Sequence, residues 1–278
     1  MKFLRSPASA ALGAVLAVSA GAANAAPFDI QVNFLGGLSA SQQAIFTIAE
    51  TFWESHITGY QEDPGLASMQ INAQGVPIDG VGGVLGSAGP TTGVSTSSFL
   101  YTSTGTMSFD TADILALEIA GDLLDVIKHE MAHVMGFGTL WSSSAVGVPG
   151  KQEVYVDGTG QYTGAWALAA YQAECDAGAT SVPVEIGGFG PGTDNGHWDE
   201  VDFCGHGSEF TNPELMTGFL TPGATVSTTT IASFADLGYT TTATHMPPMS
   251  PIPVPSGMVL TASGLVFLGF IRRRKSRA

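Results

Sequence analysis

The chain has 278 residues, 44% hydrophobic and only 12% charged, with 36 Gly, 15 Pro and a net charge of −15. Seven of its nine basic residues (Lys2, Arg5, Arg272, Arg273, Arg274, Lys275, Arg277) lie in the terminal segments, leaving only Lys128 and Lys151 to face all 24 acids. So anionic a body excludes nucleic-acid phosphates as partners, and its apolar content excludes wholesale disorder.

Residues 1–25 read as a signal peptide: Lys2 and Arg5, an apolar run from Ala10 to Ala20, then Ala23-Asn24-Ala25, which fits the small-x-small cleavage rule. The exported body is expected to span 26–245, as two lobes of about 26–138 and 139–245 around a cleft. Asp29 to Phe34 alternates like a strand, and Ser39 is placed to cap a helix in which Ile45, Ile48, Ala49, Phe52, Trp53 and Ile57 recur at helical spacing. Strands are expected near Ser68 to Ala73 and Ser98 to Ser103. The Gly-rich stretch between them, Gly80 to Gly93, lacks the Lys of a phosphate loop and reads as a flexible loop or edge connection. A second helix runs from Asp122, its expected N-cap, to Met135, with Gly136 as its stop. From there to Glu214 the chain reads as an irregular lobe, and a short helix follows around Thr229 to Leu237. The fold class is therefore α+β: a twisted N-terminal sheet with two helices, then an irregular C-terminal lobe.

Cys175 and Cys204 are the only cysteines, and in an oxidising compartment two thiols most simply form one disulfide, worth roughly 3–4 kcal/mol on the chain-entropy model. Free thiols or zinc ligands are the other readings. At the end of the chain, within 246–278, Pro251-Ile-Pro253-Val-Pro255 leads into an apolar run from Gly257 to Ile271 and then Arg272, Arg273, Arg274 and Lys275. This layout resembles the VPxPxG-like variants of the PEP-CTERM sorting signals. The resemblance implies transient membrane anchoring, processing by a sorting protease, and delivery to the cell surface or matrix; a permanent single-span anchor is the alternative.

The chemistry centres on His129-Glu130-Met131-Ala132-His133. Residues i and i+4 stack on one helical face, so two imidazoles there reach one metal ion. Leu124, Ile127, Met131, Val134 and Met135 form a stripe nearly opposite the histidines, which turns the pair towards a cleft. Catalytic zinc takes three protein ligands and lowers the pKa of water to about 7, and Glu130 can accept that water's proton as general base. Chance matches to HExxH arise in roughly one sequence in two hundred of this composition.

His133 is followed by Val-Met-Gly136-Phe-Gly, but Thr139 stands where the short HExxHxxGxxH pattern places its third histidine. His197 and His206 are the candidates farther on, whereas His56 and His245 read as surface residues. Gly196-His197-Trp198 and the downstream Asn212-Pro213-Glu214-Leu215-Met216-Thr217-Gly218 together resemble the leishmanolysin-type metzincins over roughly Asp122 to Tyr239. The resemblance implies a two-lobed zinc-protease fold in which His129, His133 and His197 bind zinc, Glu130 is the base and Met216 is the Met-turn residue. Asp199 and Glu200 are candidates to orient a ligand imidazole, and Asp157, Asp176, Asp194 and Asp202 to hold Ca2+. The expected function is an exported zinc endopeptidase acting on peptide or protein substrates; the competing class is a non-catalytic, zinc-containing surface or matrix binding protein.

Overall fold

The computed structural model describes residues 27–142, 151–205 and 212–243. The signal segment, His206, His245 and the C-terminal tail lie outside these residues. Within them no helix is long and apolar enough to cross a membrane.

The fold is mixed α+β. A small twisted sheet has the order β1-β3-β5-β4, from β1 (Ile30–Gly36), β3 (Met69–Val76), β5 (Leu100–Asp110) and β4 (Gly86–Ser95). The first three run parallel and β4 lies antiparallel to β5 at the sheet edge. The expected strand at Ser98 to Ser103 therefore starts late and runs on to Asp110, because Tyr101, Gly105, Met107 and Phe109 keep alternate positions inside. Half of the Gly-rich stretch is loop and half is β4: its Gly and Thr content masks a strand whose ladder bonds come from the backbone.

α1 (Ala40–His56) begins with a capping box in which Ser39 Oγ accepts from Gln42 N–H and the Gln42 side chain accepts from Ser39 N–H. Its buried face differs from the expected stripe. Phe46 is fully enclosed, edge-on to Phe34 and Phe109 at 5.2 and 5.5 Å, while Ile48 is 56% exposed. A short helix unforeseen in the sequence, α2 (Ile114–Ala120), precedes α3 (Leu123–Met135). Asp122 does occupy the N-cap position of α3, but its side chain makes no capping bond. The stripe on α3 is buried except for Leu124, which is only partly covered; Leu123 extends it, and Val126 is buried on the opposite, histidine-bearing face. α1 grips α3 where Trp53 Nε1 donates to Lys128 O at 3.0 Å, and the last strand does so where Tyr239 Oη donates to Met135 O at 3.0 Å.

The described residues that follow α3 are less irregular than their sequence. They hold β6 (Gln161–Tyr162) paired with β7 (Val182–Pro183), and α4 (Ala165–Glu174), an Ala-rich helix with no clear stripe to betray it. α5 (Thr228–Asp236) matches expectation, with Ser227 as its cap. α4 and α5 cap one another: Asp236 accepts from the Trp166 and Ala167 amides, both at 2.9 Å, and Glu174 accepts from the Thr228 and Thr229 amides at 2.8 and 2.9 Å. Each carboxylate thus satisfies orphan donors at the positive end of its neighbour's dipole. The chain closes by pairing β2 (Ile57–Tyr60) with β8 (Tyr239–Thr241), which ties the end of α1 to the end of α5. Cys175 and Cys204 are joined by a disulfide across 29 residues.

Since Phe46 sits in the closed core and Ile48 faces solvent, Phe46→Ala is expected to cost about 3–5 kcal/mol and Ile48→Ala less than about 1 kcal/mol. Urea unfolding of the two variants measures this, and equal losses would refute the assigned burial.

Candidate metal centre

α3 supplies two of the three imidazoles and turns off sharply to make room for the third. At its C-terminus Gly136 takes a left-handed conformation (φ 118°), which an L side chain resists. Thr139, at the position of the missing histidine, instead donates from Oγ1 to His133 O at 2.7 Å and so closes the helix end. Gly138 (φ 68°) lies so close to the next strand of chain that a Cβ there would overlap the Gly196 carbonyl. That approach brings the His197 segment alongside α3.

Trp198 fixes this segment. Its ring is fully buried among Phe137, Trp141, Tyr162 and Phe203, and it stacks on Trp141 at 5.1 Å. Its backbone N–H donates to Met216 O at 3.0 Å.

The result is that the Nε2 atoms of His129, His133 and His197 stand 3.0 Å from one another. Each ring is anchored from behind: Nδ1–H donates to Leu215 O at 2.7 Å for His129, to Phe137 O at 2.9 Å for His133 and to Thr193 O at 3.0 Å for His197. With the proton committed to Nδ1, every Nε2 presents a bare lone pair, and three lone pairs aimed at one point repel unless a cation lies among them. Tetrahedral zinc holds imidazole nitrogens at about 2.0–2.1 Å, which spaces them roughly 3.3 Å apart. The donor set therefore fits zinc. Burial keeps all three imidazoles in the neutral, ligating form: it lowers His129 against the pull of the Leu215 carbonyl, lowers His133 well below the ordinary range with help from its two neighbours, and takes His197 down to about 3.

Glu130 lies between the two helical histidines in sequence and is 6% exposed. Its carboxyl lies against the start of β4, where a Cβ on Gly86 would come within 2.8 Å of Oε1. Burial pushes it up to about 8. A cleft of about 740 Å³ runs past these groups, bounded by β4 on one side and by Leu215, Phe189, Phe219 and Leu220 on the other.

Met216 is fully buried in the turn that follows Leu215, and Thr217 Oγ1 closes that turn on Glu214 O at 2.9 Å. Its backbone neighbours touch both ligand segments, through the Leu215 carbonyl on His129 and its own carbonyl on Trp198. Asp199 and Glu200 do not orient an imidazole. Asp199 is spent on the Val201 and Asp202 amides at 2.8 and 2.7 Å, and Glu200 accepts from Phe219 N–H at 2.7 Å. His56 lies at the surface end of α1, bonded to Phe52 O at 2.8 Å. The acids considered for calcium do not gather. Asp194 accepts from the Gly188, Phe189 and Gly190 amides, Asp176 accepts from Gly178 N–H, and among the described residues the three histidines are the only such group that could hold an ion. The three carbonyls that anchor the rings leave no mark in residue type, because any residue can supply one.

No protein-family model matches this chain, and no curated protein matches it.

Alanine at His129, His133 or His197 is expected to abolish one-to-one zinc uptake, measured by metal analysis after gel filtration. A His206→Ala variant that loses zinc while His197→Ala keeps it would overturn this ligand set. The metal-free chain should also lose stability as pH rises from about 6.5 to about 8, a range in which its histidines are neutral both folded and unfolded and the buried carboxyls decide the trend. Burial pushes Glu130 to about 8 and Glu200 and Glu214 to about 7, so the stability they contribute below their ordinary 4.5 is lost as pH rises through those values. Thermal midpoints of chelator-treated protein between about pH 6.5 and 8.5 report this, and a steady rise through pH 8 would contradict it.

Proposed function

We propose that the protein is an exported zinc endopeptidase of the leishmanolysin-like metzincin type. The observation that carries the reading is the convergence of three bare imidazole nitrogens at 3.0 Å beside a carboxyl that no described group bonds. When bound, zinc supplies Lewis acidity towards a carbonyl and brings the pKa of water to about 7. Everything else in the reaction falls to the chain's own groups.

β4 is an edge strand, so its outer backbone groups can pair with an extended peptide laid along the cleft. Glu130 stands where such a peptide would pass. Its carboxylate takes a proton from the attacking water at Oε1 or Oε2 and returns it to the nitrogen of the departing amine. Leu215, Phe219 and Leu220 line the opposite wall with apolar surface for substrate side chains. The disulfide supports an oxidising compartment, in line with the signal peptide and sorting tail read from the sequence.

The competing reading keeps the zinc for structure alone. It leaves Glu130 unexplained, since a buried carboxyl with no bonding partner costs stability and has no structural use. Glu130→Gln is expected to bind zinc one-to-one and to lose about 10²–10⁴-fold in cleavage of casein. Equal activity in both forms would remove the catalytic role. A zinc-loaded wild type that cleaves no polypeptide but turns over small esters would replace the endopeptidase with another hydrolase.

A further inference from the structure

The ligand set has one weak joint. His129 and His133 share α3, so the helix fixes their spacing, but His197 arrives from 64 residues beyond His133 on a segment with little regular structure. Its Nε2 must nevertheless meet theirs to within tenths of an ångström.

We infer that Glu214 is the positioning residue that sets this register. It is buried, and its carboxylate accepts from three donors: Ser227 N–H at 2.9 Å, Met216 N–H at 3.4 Å, and the Thr230 hydroxyl in a short bond. Two branches leave it. Through the Met216 amide it shapes the turn whose Leu215 carbonyl receives His129 Nδ1–H at 2.7 Å. Through Thr230, whose Oγ1 in turn accepts from Trp198 Nε1 at 2.8 Å, it holds the indole of the residue next to His197. One carboxylate thereby joins the support of the first ligand to the support of the third. The hydroxyl of Thr230 is oriented by this arrangement: it donates to Glu214 and so turns a lone pair to the indole N–H. Removing the carboxylate would free the hydroxyl to rotate and leave the two buried donors of Met216 and Thr230, and the partly buried Ser227 N–H, without their acceptor.

The inference rests on the proposed zinc site, and the test separates the two. Zinc affinity is measured by competition with a chromophoric chelator, and ligand geometry by the visible absorption of the cobalt(II) form, for wild type, Glu214→Ala, Glu214→Gln and Thr230→Val. Glu174→Ala serves as control, because Glu174 caps the same helix at Thr228 and Thr229 but reaches neither ligand segment. Glu214→Ala and Thr230→Val are expected to weaken zinc binding about 10–100-fold, with an altered cobalt spectrum. Glu214→Gln, which keeps one acceptor oxygen, should lose less. Glu174→Ala should lower the thermal midpoint and leave zinc affinity and spectrum unchanged. If Glu214→Ala does not fold, Thr230→Val decides alone. Zinc affinities in the folded Glu214 and Thr230 variants equal to that of Glu174→Ala would overturn the positioning role. A wild-type chain that takes up no zinc overturns the metal reading itself, and this inference with it.

Discussion

Three neutral imidazoles pointing their unshared electron pairs at one spot make an arrangement that a protein does not adopt without reason. Each ring is held from the rear by a backbone carbonyl, so it can neither swing aside nor exchange its tautomer at low cost. Burial raises the penalty for protonation, which would otherwise relieve the repulsion with hydrogen bonds. What remains is attraction to a cation, and most of the architecture around the centre can be understood as keeping the three lone pairs aimed.

The two halves of the described chain share this task unequally. In the first, a helix buried along its stripe carries two of the imidazoles rigidly, braced by Trp53 on one side and Tyr239 on the other. The part that follows α3 has little regular structure around His197, so it relies on aromatic packing and on buried carboxylates. Trp198 sits in a cage of four rings. Asp236, Glu174 and Glu214 each gather amides from elements that would otherwise have none to pair with. An acidic chain with only two body lysines, both engaged at close range, thus spends several of its carboxylates on backbone donors rather than on ion pairs.

The fold was legible where local chemistry decides. Ser39 and Gly136 mark helix ends by side-chain or backbone preferences that act within a few residues, and the HExxH spacing fixes a helical face. Legibility failed where tertiary context decides. α4 has too even an apolar pattern to show a buried face, and its start is stabilised by Asp236, distant in sequence. β4 is built from Gly, Thr and Ser because an edge strand needs little side-chain burial. At the site, His197 could be singled out because Trp beside His and the later Glu-Leu-Met form a joint pattern. The carbonyls behind the rings left no trace in residue type, and Glu214 was visible as part of a motif but not as a support.

The open edge of β4 carries a further implication. Pro90 sits within it, and the register with β5 slips between Pro90 and Thr92 and again between Thr92 and Gly93. A proline offers no amide hydrogen, and the slips bend the ladder, so the edge cannot zip along its whole length with the margin of another sheet. A single pliable strand can still adjust to the short straight portion near Gly86. The same rim is thus ill suited to pairing with another folded sheet, including that of a second copy, which works against clumping at high local density.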